Sequence, residues 1–281
     1  MRLFQKRFFH LSLVLTLTLP AFSVSAVPFA VDGDLKDWIN QPQGQATDWQ
    51  PYKTNVFYSI EDQYKDFLNP GYGGQDYDAE AMYVAIDSGN LYITVVSGVD
   101  SSVIDWPPGD IAIDFGNDDT FEYGVVTYSD EDNSKGGIGS AGDFYEVSEW
   151  NYGIWEDDPN TGYSKNAHPT NIKSGEKKGE VPYSLNKAKW DGSQISKLGA
   201  YPTNSDDSHQ HYVFETAIPL NLFDPNLLGQ KFTVHWTMAC ANDWIEVDPV
   251  TVPEPPVTLL MGIGLAGMAM RKGLKRRQPD K

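Results

Sequence analysis

Two short runs of alternating apolar and polar residues stand next to each other in the chain. In Glu80–Asp87 and in Leu91–Ser97, every second residue is a large aliphatic residue or methionine. Alternation with a period of two predicts strands that turn one face to a core. Ser88, Gly89 and Asn90 separate the runs, and three residues with a glycine suit a hairpin loop. The pattern therefore predicts a β-hairpin.

Further strands are predicted from similar patterns at Val56–Ile60, Asp110–Phe115, Phe121–Thr127, Phe144–Trp150, His211–Ile218 and Lys231–Met238. In the last of these, the inward side chains are expected to be Phe232, Val234, Trp236 and Met238. Residues 157–181 are expected to form a long surface loop because they contain prolines and a Lys-Lys-Gly run. Many short strands without a globular helix predict an all-β protein, a single antiparallel β-sandwich with long loops.

The start of the chain has the three parts of a secretory signal peptide. Arg2, Lys6 and Arg7 precede the apolar run Leu11–Leu19, and small residues lead up to Ala26. We expect residues 1–26 to be removed by cleavage after Ala26. The alternative is a retained N-terminal anchor, for which the apolar run is too short.

The end of the chain combines a rigid segment, an apolar stretch and a basic cluster. Pro253, Glu254 and Pro255 cannot join a helix or sheet ladder, because proline lacks the N–H group. The uncharged stretch Thr258–Met270 is followed by five basic residues between 271 and 277. Such a stretch is held with its basic end in the cytoplasm. Because it is shorter than the roughly 20 residues of a comfortable span, we expect a transient apolar helix.

This order resembles the PEP-CTERM sorting signal of exosortase-processed bacterial surface proteins. The matching features are Val252, Pro253, Glu254 and Pro255, the glycines of the apolar stretch, and the basic tail. The resemblance implies export through the Sec signal peptide and transient anchoring in the inner membrane. Exosortase would then cleave near the motif, and the product would reach the cell surface or the medium. The alternative is an ordinary C-terminal anchor. The predicted organisation is a signal peptide (1–26), an ectodomain (27–250) and a sorting signal (251–281).

The ectodomain is strongly acidic. The whole chain has 21 basic and 39 acidic residues. Three basic residues lie in the signal peptide, and six basic residues and one acidic residue lie after Pro256. This leaves 12 basic and 38 acidic residues between them, a net charge of −26. Such a surface repels nucleic acid, and it suits an extracellular protein that lives with calcium. Cys240 is the single cysteine, so no disulfide framework is expected.

Several segments resemble the β-sandwich of carbohydrate-binding module family 9 and DOMON-like domains. They are VDGDLKDW at 31–38, the hairpin sequence at 78–96, PGDIAIDFG at 108–116, and YVFETAIPLNLF at 212–223. The resemblance implies a sandwich fold, a possible sugar ligand, and a structural calcium ion near the end of the sandwich. Asp32, Asp34 and Asp37 are the candidate ligands that it suggests. Long loops between Tyr128 and Leu198 depart from the sugar-binding members.

One acidic turn is a candidate calcium site in its own right. Five oxygen-bearing side chains surround a single tight turn: Asp114, Asn117, Asp118, Asp119 and Glu122. Calcium prefers six to eight oxygen ligands, which a turn can bring together. The alternative is a simple hairpin turn, because Gly, Asn and Asp are the usual turn residues.

Five aromatic residues lie in or beside predicted loops and are candidates for sugar contact: Trp106, Trp150, Tyr152, Trp155 and Tyr163. Exposed rings of this kind often mark a binding surface. The alternative is that they close the ends of the sandwich.

The sequence contains no G-x-S-x-G, no H-E-x-x-H and no glycine-rich phosphate loop. We therefore expect a non-catalytic protein. Together with the sorting signal, the acidic turns and the candidate aromatic residues, this predicts a calcium-stabilised surface protein that binds extracellular polysaccharide. A structural surface or matrix protein without a specific glycan is the second hypothesis. A glycan-active enzyme, which would need two carboxyl groups at a fixed separation, is the third.

Overall fold

The computed structural model describes residues 29–39, 49–60, 77, 79–99, 106–129, 137–153, 168–187, 211–241 and 243–251. Within these ranges, eleven strands are present: β1 Val56–Ile60, β2 Ala79–Asp87, β3 Asn90–Ser97, β4 Ile111–Phe115, β5 Tyr123–Val125, β6 Asp143–Tyr152, β7 Pro169–Glu180, β8 Tyr183–Lys187, β9 Tyr212–Pro219, β10 Lys231–Thr237 and β11 Trp244–Thr251. Single-turn 3-10 helices cover Leu35–Asp37 and Leu220–Leu222.

The strands form two antiparallel sheets. One has five strands in the order β1-β2-β3-β9-β8, and the other has six in the order β11-β10-β4-β5-β6-β7. The prediction of an all-β protein with two antiparallel sheets is confirmed. The predicted hairpin is also present as β2 and β3, with Asp87 opposite Asn90. The signal peptide and the apolar C-terminal helix lie outside the described residues and stay predictions.

The main core lies between the two sheets. The predicted inward residues Phe232, Val234 and Trp236 of β10, and Met238 directly after it, all belong to this core. Met82 and Val84 enter it from β2. Alternate β2 residues, such as Tyr83, face the other way. The period-two pattern is therefore read correctly from the sequence, because each strand buries one face against the opposite sheet.

The outer face of the five-stranded sheet is covered by the segment before β1. Leu35 and Trp38 are at most 1% exposed and pack with Phe29 and Trp49 against this face. The Trp49 carbonyl accepts a hydrogen bond from the Tyr83 hydroxyl at 2.7 Å. The 3-10 helix Leu35–Asp37, with Trp38 as its C-terminal cap, thus turns Trp38 toward this face.

The Glu215 side chain on β9 links the segment before β1 to the sheet through hydrogen bonds. It is 1% exposed and accepts hydrogen bonds from the backbone N–H groups of Asp32 and Gly33, at 2.8 and 2.5 Å. The Trp38 indole donates to it at 3.1 Å, and the Thr94 hydroxyl lies at 3.3 Å. Gly33 has a φ of +73°, a left-handed conformation that glycine adopts without a steric penalty. The Glu215 carboxylate therefore accepts hydrogen bonds from three residues of this segment.

A second buried carboxylate, Asp110, connects the strands of the other sheet. It is 1% exposed and accepts the backbone N–H groups of Thr127 and Ile172 at 3.0 and 2.8 Å. The preceding Gly109 donates its N–H to the Thr237 carbonyl at 3.0 Å. A side chain at Gly109 would collide with that carbonyl oxygen. Gly109 and Asp110, which directly precede β4, are thus hydrogen-bonded to residues in or beside β5, β7 and β10.

The prediction of one long loop over 157–181 is wrong, because the twelve-residue strand β7 occupies its second half. β7 is an edge strand whose C-terminal half is largely solvent-accessible, so its sequence lacks apolar alternation. Ion pairs join exposed residues of β7 to β6, including Lys173 to Glu149 at 2.5 Å and Lys178 to Glu146 at 3.0 Å. Residues 157–167 lie outside the described part of the chain.

Replacing Glu215 with glutamine should flatten the dependence of stability on pH. Burial raises the pKa of Glu215 from 4.5 to about 7, against the lowering effect of its backbone hydrogen bonds. The native state then holds a proton that the unfolded state has lost between these values. Stability therefore falls as the pH rises from about 4.5 to 7, by roughly 3 kcal/mol from this group alone.

The free energy of urea unfolding, measured from pH 4.5 to 8 for both proteins, checks this prediction. Asp110 contributes a slope of the same sign, since burial raises its pKa to about 7 as well. The Glu215→Gln variant should therefore keep part of the slope. Equal slopes for the two proteins would contradict the assignment.

Candidate functional site

The acidic turn lies at the end of β4, where the six-stranded sheet meets solvent. Asp114 is the second-to-last residue of β4 and is 3% exposed, whereas residues 116–120 are exposed. Asn117 and Asp119 have φ angles of 60° and 64°. Asn and Asp tolerate this left-handed conformation better than other non-glycine residues. The turn therefore brings the chain back toward Asp114 within a few residues.

Three carboxylates of the turn converge. One oxygen each of Asp114, Asp118 and Glu122 lies within 4.8 Å of the other two. Asp114 accepts the N–H of Asp119 at 2.9 Å, and Glu122 accepts the N–H of Phe115 at 2.7 Å. These bonds fix both side chains and leave other oxygen lone pairs for a ligand. Two oxygens bound to one calcium ion at about 2.4 Å can be at most about 4.8 Å apart, so the spacing fits such an ion.

The proximity of these carboxylates affects their protonation. Burial raises the pKa of Asp114, and the charge of Asp118 adds to the effect, while backbone hydrogen bonds oppose it. Burial likewise raises the pKa of Glu122, with the charges of Asp114 and Asp118 as smaller causes. Like charges at short range disfavour the ionised forms. A divalent cation would relieve this repulsion.

The two other predicted ligands of the turn are placed differently. The Thr233 hydroxyl lies between the Asn117 side-chain oxygen and Asp248, at 3.1 Å from the latter. The exposed Asp119 is not one of the three converging carboxylates. Asn117 and Asp119 therefore shape the turn, and their predicted role as metal ligands remains a prediction.

The second predicted metal site contains a lysine. The Lys36 ammonium lies 3.3 Å from Asp32 and 3.0 Å from Asp34. Asp34 also caps the first 3-10 helix by accepting the N–H of Lys36. The ammonium therefore supplies a cation between these two carboxylates, and hydrogen bonds from Lys36 to Asp34 and then Asp32 raise the lysine pKa. Across the described ranges, the turn at Asp114 is the one group of three potential ligands found.

The predicted sugar-contacting rings have different environments. Trp150 lies in β6, in agreement with the predicted strand Phe144–Trp150; it is 8% exposed, and its indole N–H donates to the Phe121 carbonyl at 2.8 Å. Trp106 is partly buried and packs against the main core. Tyr152, the last residue of β6, is 46% exposed. Trp155 and Tyr163 lie outside the described residues.

A stack of rings beside Phe121 was not predicted. His168 lies 4.8 Å from Trp244 and 5.4 Å from His235 between ring centroids, with interplanar angles below 30°. His235 is 1% exposed. Burial, and secondarily the neighbouring His235, lowers the pKa of His168 to about 4. His168 is therefore neutral near pH 7 and packs as an aromatic ring. Nothing in the alternation of β10 distinguishes a buried His235 from an exposed one.

The predicted sorting motif begins where the last strand ends. β11 runs to Thr251, and Val252, Pro253, Glu254 and Pro255 follow outside the described residues. Among the residues that the structure describes, no helix has the length and apolar character needed to cross a membrane.

Comparison with protein families gives one match. Residues 251–277 match the family described as the PEP-CTERM protein-sorting motif. No curated protein and no solved structure matches the chain. The resemblance to carbohydrate-binding module family 9 and DOMON-like domains therefore stays a prediction, whereas the C-terminal sorting motif is found as predicted.

Proposed function

We propose that this protein is an exported surface protein whose acidic β-sandwich is delivered by exosortase, stabilised by calcium, and used without catalysis to bind extracellular polysaccharide. The observation that carries the proposal is the sorting motif at 251–277. This motif suggests processing by exosortase and sorting of a secreted, membrane-transiting protein to the cell surface. The motif also starts on the final residue of a folded strand.

Changing Pro253 and Pro255 together to alanine should stop maturation. The altered chain should keep its apolar stretch and basic tail and stay in the membrane fraction, because the rigid motif that precedes the apolar stretch is lost. Immunoblots of fractionated cells that contain exosortase measure this outcome. Pro256→Ala is the matched control, since it changes a proline just outside the motif. Equal maturation of the double variant and the control would contradict the proposal.

The calcium proposal rests on the three converging carboxylates of Asp114, Asp118 and Glu122. Their spacing suits calcium, which takes oxygen ligands at 2.3–2.6 Å. A bound divalent ion would also offset the repulsion that contributes to their raised pKa values. Backbone carbonyls of the exposed turn and water would supply the remaining ligands.

Calcium should raise the melting temperature of the mature protein purified from cells. At about 100 times the dissociation constant, a ligand of the native state adds about 2.7 kcal/mol, or a rise of about 5–10 °C for a domain of this size. Asp118→Asn should abolish most of the rise, yet its side-chain oxygen can still accept the Thr120 N–H as Asp118 does. Glu176→Gln removes one exposed charge elsewhere and serves as the control. Identical melting in calcium and in chelator would exclude the site.

The polysaccharide proposal is supported by exposed aromatic rings. Tyr152 is exposed at the end of β6, and Tyr52, Phe57 and Tyr58 are exposed on the opposite sheet or just before it. Aromatic rings left in water gain contact area when a ligand stacks on them. Among the predicted sugar-contacting residues, Tyr152 is the most exposed in the described part of the chain. Trp155 and Tyr163 remain candidates from the sequence alone.

Retention on immobilised bacterial and plant polysaccharides tests this proposal, with calcium and with chelator. The mature protein should be retained by one class of polysaccharide, and Tyr152→Ala should weaken retention because a stacked ring is lost. Tyr152→Phe, which keeps the exposed ring and removes only its hydroxyl group, is the control and should be retained like the unaltered protein. No retention on any polysaccharide would instead favour a structural surface or matrix protein without a glycan ligand.

A further inference from the structure

The folded sandwich and the sorting motif are adjacent without a spacer. Thr251 is still paired with Lys231 of β10, and it is also the first residue of the matched motif. Val250, one residue earlier, is fully buried in the main core. Only Val252 separates the end of β11 from Pro253. The motif therefore starts at a point of the chain that is fixed to the sheet.

This placement limits how a protease can reach the motif. Residues 252–257, which precede the apolar stretch, span about 20 Å at most when fully extended. Enzymes and domains that bind an extended peptide pair with its free backbone N–H and C=O groups. At Val250 and Thr251 one backbone edge faces β10. The backbone groups that pair with β10 are consequently not available to pair with the protease at the same time.

The end of β11 can separate from the sheet as a unit. The pairing between β10 and β11 shifts between Phe232 and Val234, so that Asp248 and Pro249 form an irregularity before Val250. Pro249 has no N–H group to donate to a ladder. β11 is also an edge strand that pairs with β10 alone. Opening residues 250–251 would thus leave the rest of both sheets intact.

The irregularity at Asp248 and Pro249, a β-bulge, is itself held in place. The Thr233 hydroxyl lies 3.1 Å from the Asp248 carboxylate, and Val247 before the bulge is 3% exposed. Separation that starts at Thr251 would therefore stop at the bulge. Local opening of a strand end is a low-energy fluctuation compared with global unfolding.

We propose that the last residues of β11 must separate from β10 before the motif can be cleaved, so that this edge of the sandwich limits the rate of sorting. This inference rests on the proposed processing by exosortase, and it identifies the opening of the end of β11 as the rate-limiting step of that processing. The surface that meets the protease is the end of the six-stranded sheet from which the chain leaves. A longer spacer after Thr251 would remove the requirement.

A disulfide across β10 and β11 tests the proposal in the full chain, produced in cells that contain exosortase. Lys231→Cys and Thr251→Cys place cysteines at directly paired positions, where the Cα separation of about 4.5–5.5 Å permits a disulfide. Cys240→Ala removes the native thiol. Pulse-chase labelling measures the rate at which the precursor becomes the shorter product, and gels without reductant verify the bond.

The locked chain should mature at least about tenfold more slowly than either single-cysteine variant, because the bond prevents the local opening. A flexible ten-residue Gly-Ser insertion after Thr251 should restore the rate in the locked chain and raise it in the unlocked one. Maturation of the locked chain at the rate of the single-cysteine variants would overturn the inference. A stall that the insertion does not relieve would also overturn it.

The failure of the underlying function gives a different result. If the unaltered chain is never shortened in the presence of exosortase, the sorting proposal itself fails, and the inference fails with it. If the unaltered chain is shortened normally and the lock has no effect, sorting stands and only the requirement for strand opening is lost.

Discussion

A buried carboxylate surrounded by hydrogen-bond donors is the constraint on which each sheet depends. Glu215 on β9 accepts hydrogen bonds from two backbone N–H groups and one indole N–H of the segment before β1. Asp110, next to β4, collects two backbone N–H groups from the neighbourhood of β5 and β7. No ion pair to either residue occurs in the described part of the chain. Each carboxylate is therefore stabilised by donors that lie in place only when distant segments are folded.

These two buried carboxylates help to explain how a strongly acidic chain keeps a defined pair of packed sheets. The donors reach across large sequence separations, from Gly33 to Glu215 and from Asp110 to Ile172. Removing one partner from a buried group of this kind costs more than the hydrogen bond itself contributes, since the other partner loses water without replacement. The covering segment and the sheets are therefore coupled through a few polar contacts in addition to apolar packing.

The register of the six-stranded sheet places the acidic turn and the start of the sorting motif at the same end. Phe115, after which the acidic turn begins, pairs with Phe232. The neighbouring Lys231 pairs with Thr251, where the sorting motif starts. The acidic turn and the exit of the chain are thus two strands apart, or roughly 10 Å across the sheet. Any cation held by Asp114, Asp118 and Glu122 would therefore lie close to the point where the chain leaves the sheet.

Local patterns in the sequence predicted much of this fold. The alternation in β2, β3 and β10 identified the strands and their inward faces, because burial between two sheets imposes a period of two. The edge strand β7 was missed, since its exposed half carries charges and glycine where a buried strand would carry aliphatic residues. The convergence of Asp114, Asp118 and Glu122 followed from a tight turn, which local sequence indicates well. The anchoring role of Glu215 and the burial of Trp150 and His235 depend on contacts between distant strands, so alternation alone could not distinguish them.

The most direct test of the central claim is the mass of the mature protein recovered from cells that export it. Processing at the motif predicts a polypeptide that begins near Val27, ends close to Pro253–Pro255, and lacks the apolar stretch and basic tail. A surface protein that retains residues 258–281 would contradict sorting by cleavage and would identify the C-terminus as a permanent anchor.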